Sequence, residues 1–297
     1  ASVAIGYESL LNNTTADNNI AIGCKAMRAN TTGHSNTAIG TLALDANTTG
    51  TKNIGVGLNA LTANTTADNN IAVGCGAMLN NTTGAENNAI GNSSLCANTE
   101  GTNNTALGHL ALRANTTADN NTAVGMSALT ANTTASNNTA VGFEALKTNI
   151  TGSGNTAVGR DALETNTAND NTAVGYEALK LNTTGTRNSS FGRNALEANT
   201  TGGNNTAMGT NALLLNTTAS DNTAFGADSL SSNTTGHSNV AIGHCALYTN
   251  TEGDTNTAVG HHALKLNTTA ADNTGIGRNA LCSTTTGCTN TALGSSA

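Results

Sequence analysis

The chain lacks proline and tryptophan altogether, and only 2% of its 297 residues are aromatic and 10% charged. A typical globular domain is about a quarter charged. The scarcity of large side chains excludes a thick globular core, so any core must be thin and built from Ala, Val, Ile and Leu. Disordered chains are usually rich in charge and proline, and the lack of both argues against intrinsic disorder.

Basic clusters and long apolar segments are missing as well. The net charge is −7, whereas a nucleic-acid-binding surface requires a basic patch. No apolar run approaches the length of a membrane span. No signal peptide is visible, and a start at Ala1 without Met is typical of a mature chain or a fragment. We therefore expect neither nucleic acid nor membrane insertion among the interactions of this chain.

The sequence consists of one repeat. A Gly that follows an apolar residue, most often in Ala-Ile-Gly or Ala-Val-Gly, recurs every 17 residues throughout, apart from one step of 16 between Gly159 and Gly175. The consensus is N-T-A-V-G-x-x-A-L-x-x-N-T-T-[GA]-x-x, and one residue is missing near 166–168. About 18 copies fill residues 1–297, which predicts a single repeat array without a linker or a second domain.

The columns of the repeat behave as packed positions. The residue before the Gly is always apolar, and the residue four after it is always Leu or Met. Seventeen residues are too few for a two-helix repeat, and Gly, Thr and Asn disfavour helix interiors. The pattern predicts an all-β fold, a fibrous parallel β-solenoid (β-roll or β-helix) of 17-residue coils. Thr-Ala-Val forms one strand, and the Ala-Leu segment forms a second strand or an extended edge.

Two features leave alternatives open. Neighbouring strand residues face opposite ways, so we expect Val and Ile to fill one side while the small column of Ala4, Ala21 and Ala38 faces the other. That small face approaches either a neighbouring chain, the preferred interpretation, or the opposite wall of a narrow coil. Ala also replaces Gly in the Asn-Thr-Thr-Gly turn of every third copy, a spacing of 51 residues. Either the gene grew by triplets, or three copies form one large turn.

The segment 171–185 resembles the 17-residue repeats of bacterial and phage tail-fibre-like proteins. Its sequence is Asn-Thr-Ala-Val-Gly-Tyr-Glu-Ala-Leu-Lys-Leu-Asn-Thr-Thr-Gly. The phrase Ser-Val-Ala-Ile-Gly at 2–6 is loosely similar to the head repeats of trimeric autotransporter adhesins. The resemblance implies a parallel β-roll, often trimeric, at a cell or virion surface.

From the repeat and the resemblance we expect a non-catalytic structural protein, an extracellular fibre, surface shaft or adhesin that self-associates into a fibre or trimer. The alternative is an ice- or glycan-binding solenoid surface. Regular Thr ladders can order water, although in Asn-Thr-Thr the two Thr are adjacent and only one can face outward.

No His, acid and nucleophile depart from the repeat together, so we predict no catalytic residue, metal site or cofactor. His244 and His261 are one repeat apart in a variable column and can stack, with His262 adjacent. Asp68 and Asp119 recur in Thr-Ala-Asp-Asn without the Asp spacing of calcium-binding repeats.

Asn-x-Thr in the turn is a glycosylation sequon, which predicts a glycoprotein if the source is eukaryotic and the turns are exposed. The alternative is that turn geometry requires the Asn, because Asn98, Asn166 and Asn250 keep it without a sequon. Cys282 and Cys288 lie in the last full copy and predict a disulfide there, which would imply an oxidising compartment. The sequon residues are Asn13, Asn30, Asn47, Asn64, Asn81, Asn115, Asn132, Asn149, Asn182, Asn199, Asn216, Asn233 and Asn267.

Overall fold

The computed structural model describes residues 1–297 and contains 18 β-strands and no α-helix. No helix is therefore present that could cross a membrane. The chain divides into two compact units, Ala1–Ser153 and Gly154–Ala297, each with nine strands. In both units every coil of about 17 residues contributes one short parallel strand, which confirms the predicted all-β parallel solenoid.

The strands follow one another at the period of the repeat. In the first unit they are β1 (Val3–Ile5), β2 (Ile20–Ile22), β3 (Thr37–Ile39), β4 (Ile54–Val56), β5 (Ile71–Val73), β6 (Asn88–Ile90), β7 (Thr105–Leu107), β8 (Thr122–Val124) and β9 (Thr139–Val141). In the second they are β10 (Thr156–Val158), β11 (Thr172–Val174), β12 (Ser189–Phe191), β13 (Thr206–Met208), β14 (Thr223–Phe225), β15 (Val240–Ile242), β16 (Thr257–Val259), β17 (Thr274–Ile276) and β18 (Thr291–Leu293).

Within each unit, successive strands pair in parallel through the same segment of the repeat, as in the pairing of Ala21 with Ala38. Neighbours in the stack are thus one copy apart, and the alternative in which three copies form one turn is wrong. The shorter copy keeps the register, since Ala157 pairs with Ala173. Its turn absorbs the missing residue, and the Nδ2 of Asn166 donates to the carbonyl of Ala168 at 2.8 Å.

The Ala-Leu segment is a turn, so the predicted second strand is wrong. The N–H of Ala26 donates to the carbonyl of Gly23 at 3.3 Å, and the N–H of Asn30 donates to that of Met27 at 3.3 Å. Met27 has a φ of 50°, and the other residues of the Leu column share this left-handed conformation. Such a residue reverses the chain direction instead of extending it. The turns still stack, because the N–H of Met27 donates to the carbonyl of Ala43 at 3.0 Å.

The Gly after each strand is required for two separate reasons, its backbone conformation and the space around it. Gly125 has a φ of 132°, a conformation that residues with a side chain rarely adopt. A Cβ on Gly125 would also lie 2.4 Å from the carbonyl oxygen of Gly142 in the next coil. The strict Gly column therefore reflects both the backbone conformation and the close stacking of successive coils.

The core lies between two walls of a narrow coil. Ala123 of the strand and Leu129 of the turn are both 0% exposed. Gly55 stands in the Ala column, and a Cβ there would lie 3.4 Å from the Cγ of Leu44 and 3.3 Å from the carbonyl oxygen of Ala60. The space thus holds a methyl group and little more. The Ala column faces the opposite wall of its own coil, so the preferred interpretation, a neighbouring chain, is wrong.

Candidate functional surfaces

The first and third residues of the strands point outward in each unit, and we call this surface the strand face. In β8 the buried Ala123 lies between Thr122 and Val124, which are both half-buried. The expectation that Val and Ile fill the interior is therefore wrong, because the coil admits only a methyl group at the strand. A Thr-rich column and an aliphatic column run side by side on the outside of each unit.

The strand face is uncharged and largely apolar. Neither outward column contains an Asp, Glu, Lys, Arg or His in any strand. Large side chains are nevertheless exposed there, with Ile5 at 58%, Ile90 at 45% and Phe225 at 54%. The alternation of the repeat led us to expect these residues in the core, so this surface was not predicted. A signal for it is present in the sequence. The Thr column must lie on the same side of the strand as the Val column, and both columns lack charged residues.

Charged groups occupy the turns instead. In the second unit the Nζ of Lys180 lies 2.8 Å from a carboxylate oxygen of Glu177, 3.8 Å from one of Glu164 and 4.0 Å from one of Asp161. The hydrogen bond from Lys180 holds the pKa of Glu177 below its ordinary value. The same bond raises the pKa of Lys180. The side chains of these pairs are 7–25% exposed, and ion pairs at the surface contribute little to folding individually.

Asn residues recur at two positions of the repeat, and both columns form buried hydrogen-bonded ladders. The Nδ2 of Asn47 donates to the Oδ1 of Asn30 at 2.9 Å and to the carbonyl of Gly50 at 3.0 Å. In the other column the backbone N–H of Asn36 donates to the Oδ1 of Asn19 at 2.9 Å. The amides therefore supply hydrogen-bond partners to polar groups buried in the turns.

The sequon residues belong to the first of these ladders. All of them except Asn13 are 0% exposed, so the Nδ2 to which a glycan would be joined is inside the coil. Asn13 is half-buried, and its Nδ2 donates to the carbonyl of Ala16 at 3.1 Å. The folded geometry favours the turn-geometry interpretation of these Asn residues, and glycosylation stays a prediction for the chain.

The Thr residues of the turn and the recurring Asp residues also bind backbone. The Oγ1 of Thr31 donates to the carbonyl of Thr48 at 3.0 Å. The carboxylate of Asp68 accepts from the N–H of Thr51 at 2.6 Å and from its Oγ1 at 2.9 Å. Asp119 accepts from Thr102 in the same way, with an N–H distance of 2.7 Å. The 51-residue spacing of these Asp residues thus coincides with a recurring bond between adjacent coils.

The predicted stacking of His244 on His261 is confirmed, with ring centroids 5.4 Å apart and planes inclined by 14°. Cys282 and Cys288 are free thiols in the structure, so the disulfide between them is not formed there and stays a prediction. Burial raises the pKa of the Cys96 thiol, as it does for Cys245, where Asp228 adds to the effect. Protonated thiols of this kind are poor nucleophiles.

No protein-family model, curated protein or solved structure matches this chain. The strand face runs along all the strands of each unit. His244, His261 and His262, the histidine cluster, form a group of side chains that could hold a metal ion.

Proposed function

We propose that the chain is a non-catalytic structural protein that self-associates through its strand face to form a fibre, surface shaft or adhesin. The observation that supports the proposal is the uncharged strand face itself, with Phe225 exposed at 54%. The interior of each coil is filled by Ala, Leu and Asn ladders, so interactions with other molecules fall to the outside. A location outside the cell or on a virion rests on the resemblance of the repeats.

A second copy of the chain is the partner that fits the strand face best. Protein interfaces concentrate aromatic, Met and aliphatic side chains at their centre and place charge at the rim. In the second unit Phe191, Met208 and Phe225 occupy three consecutive strands in the outward aliphatic column. Aromatic side chains in such a position are frequent anchors of binding energy. Two uncharged faces meet without desolvating ions, which favours identical surfaces as partners.

The test is the mass of the protein in solution, measured by size-exclusion chromatography with light scattering and by electron microscopy. We expect dimers, trimers or fibres for the parent chain. Phe225→Lys places a charge on the strand face and should shift the protein to monomer without changing its melting temperature. Leu215→Lys is the matched control, because Leu215 is exposed at 47% but lies on a turn.

A parent chain that is monomeric at all concentrations would contradict the proposal. An equal loss of assembly in Leu215→Lys would show that added charge acts through general repulsion, and would contradict it as well.

Ice binding is a second candidate for the same face. Thr105, Thr122 and Thr139 are aligned in consecutive parallel strands beside Leu107, Val124 and Val141. The strands of a sheet lie about 4.8 Å apart, and outward residues of one strand about 6.6 Å apart. Hydroxyl and methyl groups therefore form a regular, charge-free grid that can order water. No comparable observation favours the glycan alternative.

Thermal hysteresis and ice-recrystallisation assays test this candidate on monomeric protein. We expect activity in the parent chain and its loss in Thr122→Lys. Thr117→Lys is the control, because Thr117 is exposed on a turn outside the strand face. Absence of activity in the monomer, or equal loss in both variants, would leave self-association as the function of the face.

A further inference from the structure

Five side chains able to bind a metal occupy three consecutive coils of the second unit. His244 and His261 stand in the first column after the conserved Gly, and Asp228, Cys245 and His262 stand in the second. The strict stacking of the coils places successive members of a column next to each other. No other part of the chain repeats His in this way.

Three of these side chains are close enough to share one ion. The ligand atoms of His244, His261 and His262 all lie within 4.8 Å of one another. The ring centroids of His261 and His262 are 3.7 Å apart. Nitrogen ligands at about 2.0–2.1 Å around a tetrahedral zinc ion lie about 3.4 Å from each other. Since His244 and His261 are exposed, small side-chain rotations can bring the ligand atoms from within 4.8 Å to this separation without moving the backbone.

Metal ions bind the neutral form of imidazole. Lys265 and, in the next coil, Arg278 are cations close to the cluster, and Asp228 is an acid beside it. The two cations weaken binding relative to a carboxylate-rich site.

A second group of possible ligands overlaps the first. Asp228, His244 and Cys245 also have ligand atoms within 4.8 Å of one another, and the Sγ of Cys245 lies 3.7 Å from the Nε2 of His244. Cys245 is buried in this group, whereas two of the three histidines in the first group are exposed and can rotate toward a shared ion. The three-histidine group is therefore the one that an ion can reach more readily.

We propose that His244, His261 and His262 bind one divalent transition-metal ion of the zinc class, with water at the fourth position. Imidazole ligands suit zinc, copper, nickel and cobalt, whereas calcium and magnesium require oxygen donors. The site is independent of the strand face, because its residues lie on the turn that follows each strand.

Isothermal titration of the full chain with Zn²⁺ alone is the primary test. We expect one equivalent to bind, and His261→Asn to lower the affinity at least about tenfold, the range seen even for loss of an outer partner. His109→Asn is the matched control, because His109 occupies the same column of another coil, with Asn92 and Met126 as its neighbours in the stack. Its affinity should equal that of the parent chain.

Cobalt provides a second readout, since its visible spectrum reports ligand geometry and shows thiolate ligands directly. We expect tetrahedral absorption without a thiolate band. A thiolate band that survives His261→Asn would place the ion on Asp228, His244 and Cys245 and overturn the proposal. Undiminished Zn²⁺ binding in His261→Asn, or no binding by the parent chain, would also overturn it. Circular dichroism of each variant verifies that the fold is retained.

Discussion

The Nδ2 of Asn98 donates a hydrogen bond to the Oδ1 of Asn81 over 2.7 Å, inside the coil. Asn81 in turn donates to the Oδ1 of Asn64 at 3.0 Å and to the carbonyl of Gly84 at 2.8 Å. One amide thus joins three coils and closes its own turn. Because these groups are buried, the two bonds between amides give the Oδ1 of Asn64 and the Oδ1 of Asn81 a donor that water cannot supply.

Asn81→Ala should therefore be strongly destabilising. The change leaves the Oδ1 of Asn64 without the donor it has in the parent chain, at about 1–3 kcal/mol for an unsatisfied buried group. The carbonyl of Gly84 and the Nδ2 of Asn98 each lose one of two hydrogen bonds, because Asn70 still donates to Gly84 and Asn98 still donates to Gly101. The adjacent Asn80 is exposed and provides the control. Urea denaturation should show a lower midpoint for Asn81→Ala than for the parent chain, and an unchanged midpoint for Asn80→Ala. Equal midpoints would show that the ladder is dispensable.

Thr284→Asn should stabilise the last coils. The Asn column ends at Thr284, and the Oδ1 of Asn267 is buried there without a hydrogen-bond donor. An Asn at this position can donate to it as the other members of the column do, which is worth about 1 kcal/mol. Amide hydrogen exchange around 264–284 should slow in the variant, and Thr284→Val should not reproduce the effect. Faster exchange in Thr284→Asn would contradict the prediction.

Leu146→Asp should disrupt the first unit locally. Leu146 is 0% exposed, and an ionised carboxylate there would be buried without a partner, costing at least about 3 kcal/mol. Leu58→Asp is the control, since Leu58 is exposed at 49% in a turn of the same unit. Thermal melting followed by circular dichroism distinguishes them. If Leu146→Asp melts like the parent chain, the Leu column is not the core.

A comparison of Gly125→Ala with Gly76→Ala distinguishes the cost of close packing from the cost of backbone strain. Its Cβ would lie 2.4 Å from the carbonyl oxygen of Gly142, so the coils must move apart. Gly76 has a φ of 63°, but its Cβ would lie 3.8 Å from the nearest atom, the Oγ of Ser93. Gly76→Ala should cost about 1–2 kcal/mol, the strain of a left-handed residue. Gly125→Ala should cost clearly more, measured as a shift of the urea midpoint.

Glu177 should show a pH dependence set by Lys180. The hydrogen bond from Lys180 depresses the pKa of Glu177 in the folded state. Its stabilisation is therefore present above the pKa of unfolded Glu and is lost as the pH falls through the lower, folded value. Lys180→Met should return the pKa of Glu177 toward its ordinary value, as followed by carbon-detected NMR titration. The free-energy change should stay below about 1 kcal/mol, because the pair lies at the surface and is only partly buried.

The repeat by itself determined the architecture of this protein. A fixed period with nearly invariant Gly, Leu and Asn columns requires coils that stack in register, because each column meets copies of itself. The Asn ladders and the predicted stacking of His244 on His261 follow directly from that rule. The neighbours of any residue are set by sequence distance alone.

Only the tertiary structure decided which side of the strand faces inward. Alternation in Thr-Ala-Val places Ala opposite Val, but it does not say which of the two sides is enclosed. Hydrophobicity favours Val inside, yet the walls of the coil are so close that Leu44 fills the space beyond the strand of Gly55. The width of the coil depends on the left-handed turns at the Leu column. Because the coil is narrow, the methyl group of Ala is buried and the larger aliphatic side chains lie outside.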